Sequence, residues 1–164
     1  MSLPAYMYIF DENGQQINGS CLALNRVGAI EVMNSSYGMV QHVDSNTGSL
    51  MGSRKHNPFT IHKQIDKTSP YFANALCNCK KLQKAVIHYY DVNHSGQEYE
   101  IYRVTLTGVV VMSVNATHAY FPGSGSSNML ESIGLRYAGI EWFYLEGHIK
   151  YEDSWSKSPQ EQRQ

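Results

Sequence analysis

The stretch from residue 54 to residue 72, RKHNPFTIHKQIDKTSPYF, is where this chain changes period, and that change limits the folds open to it. Its surroundings read as β-structure, whereas this segment runs from an alternating strand through a charged turn into a helix start. Arg54 to His56 are basic, and Pro58 fits only a strand start or edge because it has no N–H to give to a ladder. Phe59, Ile61 and, after His62 and Lys63, Ile65 read as the apolar face at period two. Ser69-Pro70 predicts a helix N-cap and a first-turn proline, whose missing N–H would be unpaired in any case. One strand therefore hands over to one helix.

Around that hinge the chain divides into segments. Residues 5–10 form a short strand closed by the turn signal Asn13-Gly14. Residues 29–41 alternate as one long strand, with Gly38 marking a bend or bulge. Residues 43–53, VDSNTGSLMGS, lack periodicity and predict a long loop, a kind of segment that is usually functional or disordered. The helix runs from Pro70 to about Cys79, with Phe72, Ala75, Leu76 and Cys79 on its apolar stripe. Residues 85–92 and 98–114 form a hairpin around the turn Asn93-His94-Ser95-Gly96. In its second strand, Tyr102, Val104 and Leu106 share a face, and the run Val109 to Met112 predicts burial on both sides.

A second long loop spans 115–128, with a mobile Gly-Ser stretch. Strands at 129–138 and 140–144, kinked at Gly139, and at 149–151 complete the domain. The tail from Ser156 is polar and expected to be disordered. About eight strands with one helix between the third and fourth predict a mainly β fold, an antiparallel β-barrel or closely wrapped two-sheet sandwich. Residues 1–155 read as a single domain, since a chain of 164 residues buries about 70% of its unfolded surface without staples.

The surface is polar rather than charged. Only 16% of residues are charged against a usual figure of about a quarter, and twelve tyrosines outnumber five phenylalanines, a balance suited to half-buried sheet faces and protein contacts. A net charge of −1 argues against a nucleic-acid partner, because phosphate contacts need clustered Lys and Arg. No apolar run approaches the roughly 18 residues of a membrane span, and no signal-peptide pattern opens the chain. Synthesis in the cytoplasm, with any export proceeding without a cleaved signal, is the expectation.

No catalytic constellation assembles. The seven histidines fall in no H-E-x-x-H or H-x-H pattern and read as surface residues. The loop glycines lack the strand-to-helix context and the Lys of a phosphate cradle. Nothing in the spacing brings together any two of Asp66, Glu98, Glu100 and Glu131, and Asp66 ahead of the helix reads as cap and dipole chemistry. Cys21, Cys77 and Cys79 make no zinc set and read as reduced structural thiols. The chain is expected to be a non-catalytic β-domain, with no cofactor or metal, that meets other protein.

In order along the chain come Ala29-Ile30-Glu31-Val32, Asn46-Thr47-Gly48, Arg54-x-His56-x-Pro58-Phe59, and Lys63-x-Ile65-Asp66-Lys67-Thr68-Ser69-Pro70-Tyr71. Gly96-Gln97-Glu98, Val110-x-x-Ser113-Val114, Glu131-x-Ile133-x-Leu135-x-Tyr137 and Ile140-x-Trp142 follow. With this order and spacing the chain resembles the haemolysin co-regulated protein (Hcp) family, the tube subunit of the bacterial type VI secretion system. The resemblance covers nearly the whole chain.

It implies a β-barrel with one helix, hexameric rings that stack into a tube, and expulsion of that tube by a contractile sheath. It also implies spike and baseplate partners and small effectors carried in the ring. No extra C-terminal toxin domain, as some members carry, is expected in this chain. The loop over 43–57 resembles the family's extended loop toward the adjoining ring. Asn46, Thr47, Gly48, Leu50, Met51, Arg54 and His56 are its candidate stacking residues, and Asp66, Ser69 and Pro70 are the candidate structural residues of the helix start. Leu50 and Met51 form an apolar pair in a polar loop, which would be odd unless something covers it. The alternative from a different class is a monomeric β-barrel module that binds a carbohydrate or peptide.

Overall fold

A strand of 21 residues, β9 (Glu98–His118), organises the molecule because no single neighbour can pair along all of it. In the computed structural model, which describes residues 3–123, 125 and 128–155, its first half pairs with β11 (Gly139–Tyr144) and its second half with β10 (Met129–Arg136). The changeover falls at Gly108, which adopts φ 59° and whose missing Cβ would lie 2.9 Å from that of Ala138, so only glycine fits there. Along its other edge β9 pairs with β8 (Lys81–Val92), and β8 pairs with β1 (Ala5–Phe10). The remaining elements are β2 (Gln16–Ile17), β3 (Ile30–Val32), β4 (Asn34–Ser36), β5 (Met39–Val43), β6 (Leu50–His56), β7 (Phe59–Gln64), α1 (Ser69–Cys77) and β12 (Ile149–Ser154).

All pairings are antiparallel. The main sheet runs β2-β1-β8-β9-β10-β7-β4, with β3 beside β1 and the β11–β12 hairpin on β9. Its two margins are joined by one segment: β3 pairs with β1, Met33 donates its N–H to the carbonyl of His62, and β4 pairs with β7. The turn at Met33 keeps the ladders separate, so the sheet is a closely wrapped sandwich and not a closed barrel. That turn also divides the single strand expected over 29–41 into β3, β4 and β5, with Gly38 at the second break.

Alternation decides the core. Met7 and Ile9, Ile30 and Val32, Phe59 and Ile61, Val104 and Leu106, and Ile133 and Leu135 point inward at period two and are sealed from solvent. Each such large side chain contributes about 1.5–3 kcal/mol of transfer free energy. Phe72 and Ala75 bring α1 onto β9 through the expected stripe, with Leu76 partly buried. Cys79 leaves that stripe: the helix ends at Cys77, and Cys79 turns the chain at φ 50° with its side chain exposed. All three cysteines are free, but only Cys21 is buried, so Cys77 and Cys79 are not core thiols.

Other expectations are corrected. Residues 43–53 are no unstructured loop, because β5 and β6 form a two-stranded sheet around a short turn. Residues 115–118 continue β9 as the partner of β10, which shortens the second loop. The run at 109–112 is buried on one side only, with Val109 and Val111 inward and Met112 exposed. The expected tail from Ser156 lies outside the described residues, as do Ser124, Ser126 and Ser127 of the Gly-Ser stretch.

Candidate functional site

The β5–β6 hairpin belongs to no other sheet, and its far end is built by the residues singled out from the sequence. Asp44 accepts hydrogen bonds on Oδ1 from the N–H groups of Asn46 (2.7 Å) and Thr47 (3.2 Å), and its carbonyl accepts from Gly48, which takes φ 71°. Those contacts close the turn with polar chain, and the register then sets Val43 opposite Leu50 and His42 opposite Met51. Leu50 is 73% exposed, and Val43 and Met51 are more than half exposed. Gln41 steadies the irregular middle by donating its amide to the carbonyls of Met51 (3.2 Å) and Gly52 (3.0 Å). The arm thus ends in uncovered apolar side chains, Val43 and Leu50 on one face and Met51 on the other.

Its near end is the opposite. His56 is 4% exposed, although all seven histidines read as surface residues from sequence. Its Nε2 lies 2.9 Å from Asp153 Oδ2 and its Nδ1 2.8 Å from the Tyr137 hydroxyl. A carboxylate can only accept, so Nε2 carries a proton, and in the neutral ring Nδ1 accepts from Tyr137. Trp155 packs over the ring at 5.3 Å between centroids. Arg54 grips the same carboxylate through Nε and Nη2 and donates from Nη2 to the Ser154 carbonyl at 2.8 Å.

Burial by itself would raise the Asp153 carboxyl, but the hydrogen bonds from Arg54 and His56 prevail and bring it down to about 2. Burial, together with the Asp153 charge, pushes the Tyr137 phenol up to about 12, which keeps its proton in place. Arg54 and His56, two positions apart on β6, are therefore clamped to β12, and the arm has a fixed base.

A second buried ionic cluster holds the helix start. Lys63 was passed over as a polar break between Ile61 and Ile65, yet it occupies the third inward position of β7 after Phe59 and Ile61 and is wholly buried. Its ammonium pairs with Glu131 and with Asp66 (2.9 Å) and donates to Ser69 Oγ (3.2 Å) and the Gln64 carbonyl (3.2 Å). Ser69 donates to Glu131 at 2.6 Å and accepts from the Asp66 N–H at 3.0 Å, so it links the Glu131 carboxylate to the backbone of Asp66. The helix N-cap is consequently Thr68, not Ser69, because the Ser69 hydroxyl is committed to this network.

Asp66 Oδ1 accepts from the Thr68 N–H at 2.9 Å and from the Thr68 hydroxyl, closing the turn ahead of the helix, but no side chain caps the helix and no acidic residue lies in its first turn, so the expected cap chemistry is not found. Burial works against its charge, but the Thr68 and Lys63 hydrogen bonds hold its carboxyl below the ordinary value. Pro70 lies in the first helical turn, as expected. Asp66 and Glu131, which nothing in the sequence brought together, thus share one cation. Lys63, Glu131, Tyr137 and Asp153 are the residues that sequence reasoning missed. Parity was the available signal for the first two, because Lys63 alternates with Phe59 and Ile61, and Glu131 with Ile133 and Leu135.

Among the described residues no group of three or more His, Cys, Asp or Glu could hold a metal ion, and no helix is long and apolar enough to cross a membrane. The geometry offers a rooted arm with an apolar end.

The family described as type VI secretion system effector, Hcp, matches residues 6–144. The major exported protein of Pseudomonas aeruginosa is 25% identical over 170 residues, covering 97% of this chain and 98% of its own length. A mutant Hcp1 from the E. coli EAEC 042 pathovar superposes with a TM-score of 0.85 at 35% identity, covering 94% of this chain and 99% of that one. The secreted protein Hcp3 of Pseudomonas aeruginosa shares the fold with a TM-score of 0.74 at 20% identity, covering 95% of this chain and 100% of that one.

Proposed function

The chain belongs to the Hcp family of the type VI secretion system, a family of structural secreted tube proteins and not of enzymes, and from that premise we propose that it is a ring-forming tube subunit. In this reading six copies close into a ring, rings stack through the β5–β6 arm, and the tube leaves the cell when a contractile sheath drives it. Spike and baseplate proteins meet its ends, and small effectors travel in its lumen. Export by this route needs no cleaved signal.

The observation that carries the proposal is the arm itself. An isolated two-stranded hairpin is marginal in water, yet this one is held at its base by a buried ion pair and presents Val43, Leu50 and Met51 uncovered at its end. Uncovered aliphatic side chains on a rigid support suit a surface that another copy covers. Light scattering across a concentration range, with negative-stain microscopy, tests the proposal: ring-shaped particles of about six subunit masses are expected. A monomer with no rings at any concentration would overturn it.

A further inference from the structure

Two of this chain's own arginines are seated against rings and a carboxylate together. The Arg26 guanidinium lies over the rings of Tyr6 (4.6 Å) and Tyr90 (4.0 Å) and pairs with Glu98. Arg103 donates from Nε and Nη2 to the two carboxylate oxygens of Glu100, at 2.8 Å each, and lies 5.7 Å from the centre of the Phe143 ring. A ring attracts the face of the cation, and the carboxylate takes its edge. At Arg26, two tyrosines and one glutamate make the seat.

The same three side-chain types meet without a cation where β9 begins and β11 ends. A cavity of about 340 Å³ there is lined by Tyr99, Glu100, Ile101, Tyr144, Leu145 and Glu146. Its two sides are tied together, because the Leu145 N–H donates to the Ile101 carbonyl at 3.1 Å and extends the β9–β11 ladder past Tyr102 and Tyr144. The turn that carries Glu146 is fixed as well: the His148 N–H donates to the Leu145 carbonyl at 3.2 Å, and the His148 ring stacks on Phe143. Tyr99 and Tyr144 are 47% and 43% exposed. Glu100 has both oxygens engaged by Arg103 and His88, but Glu146 is exposed and has no hydrogen bond or ion pair among the described residues. One negative charge therefore stands unanswered beside two tyrosines.

We propose that this cavity docks an arginine side chain of a partner protein, with the guanidinium against Tyr99 and Tyr144 and its fork on Glu146. Complementarity of charge carries the inference, and the Arg26 seat shows the same chemistry filled within this chain. An unpaired carboxylate favours a cation, and two tyrosines favour the cation that stacks. A lysine ammonium is compact and strongly hydrated, whereas a guanidinium is planar, gives up water more readily and bridges a carboxylate while it lies on a ring. Ile101 and Leu145 offer apolar wall to the methylenes of the stem. At about 340 Å³ the cavity lies at the low end of ligand pockets, roughly 300–1,000 Å³, which suits one long side chain. The site lies within one chain and does not depend on the ring reading.

Ligand-observed saturation-transfer NMR on the full chain tests this, using acetyl-Gly-Arg-Gly-amide, its lysine counterpart and its citrulline counterpart, which keeps the shape of arginine without the charge. The arginine peptide is expected to bind with a Kd of about 1–10 mM, and the other two about tenfold more weakly or less. Glu146→Gln is expected to weaken the arginine peptide about fivefold, and Tyr99→Leu and Tyr144→Leu about threefold each. These three side chains are exposed, so the variants should keep the unsubstituted melting temperature. Glu12→Gln, at an exposed carboxylate in another turn, is expected to change nothing. Equal binding of the arginine and citrulline peptides, or a Kd that Glu146→Gln leaves unchanged, would overturn the site. A lysine peptide that binds as tightly as the arginine one overturns the choice of guanidinium. Equal weakening by Glu146→Gln and Glu12→Gln means diffuse attraction to a negative chain and also overturns the site.

Discussion

The two ends of strand β6 lie in opposite surroundings. Leu50, at the outer end, is 73% exposed, and His56, six residues on, is 4% exposed. The outer end is apolar and uncovered, whereas the inner end is ionic and buried. The usual partition of side chains is inverted at both places, and each inversion has a separate cause. At the root, Arg54 and His56 share the Asp153 carboxylate, so charge is tolerated inside because it is hydrogen-bonded on several sides. At the tip, apolar surface is tolerated outside if another copy removes it from water. The root is concerned with the fold of this chain and, on the proposed reading, the tip with what the chain assembles into.

That division can be broken at the buried side first, and most severely where the charge is deepest. Lys63→Met leaves the Glu131 and Asp66 carboxylates without their shared cation and is expected to cost about 3–5 kcal/mol in denaturant unfolding. Adding Glu131→Leu should recover more than half of that loss. A cost below about 1 kcal/mol would mean that the cluster does not hold the helix start.

At the arm root, Asp153→Ala strands Arg54 and His56 and is expected to cost about 2–4 kcal/mol. Hydrogen exchange should accelerate across residues 50–56 and stay unchanged in β8 and β9, and uniform acceleration would show that the root is not local to the arm.

Acid gives a smaller effect of defined sign. The folded Asp153 carboxyl lies at about 2, below its ordinary 3.8, so its charge stabilises the fold above about pH 4. That contribution, about 2 kcal/mol, is lost as pH falls from about 4 to about 2. The difference in stability between the unsubstituted chain and Asp153→Asn should therefore shrink across that window. A difference independent of pH would remove Asp153 from the acid response.

Much of this fold was legible, and the failures have physical reasons. The strand-to-helix change at 54–72 read correctly because the two periodicities differ and proline restricts both sides. The face of β9 that carries Val104 and Leu106 followed from alternation, whereas the run at 109–112 did not. Lys63 did not, since a lysine is rarely buried even at a position of inward parity, and its burial depends on Glu131, 68 residues on. His56 was missed for the same reason, because its partners Tyr137 and Asp153 reach it only through the fold. The arm read as a loop because Val43 and Leu50 flank a turn with little apolar alternation, and a strand pair without a core leaves almost no pattern in sequence. Chemistry that depends on distant partners is invisible to local reading, while the hydrogen bonds that close the turn from Asp44 to Gly48 are local.

The smallest expected change in the fold carries the largest consequence for assembly. Leu50→Asp with Met51→Asp alters two exposed side chains, so unfolding free energy should move by no more than about 0.5 kcal/mol. Sedimentation velocity of this double variant beside the unsubstituted chain tests the division between root and tip most directly. The account predicts stacked species in addition to rings for the unsubstituted chain, and single rings without stacks for the variant. Unchanged stacking by a folded variant would contradict it.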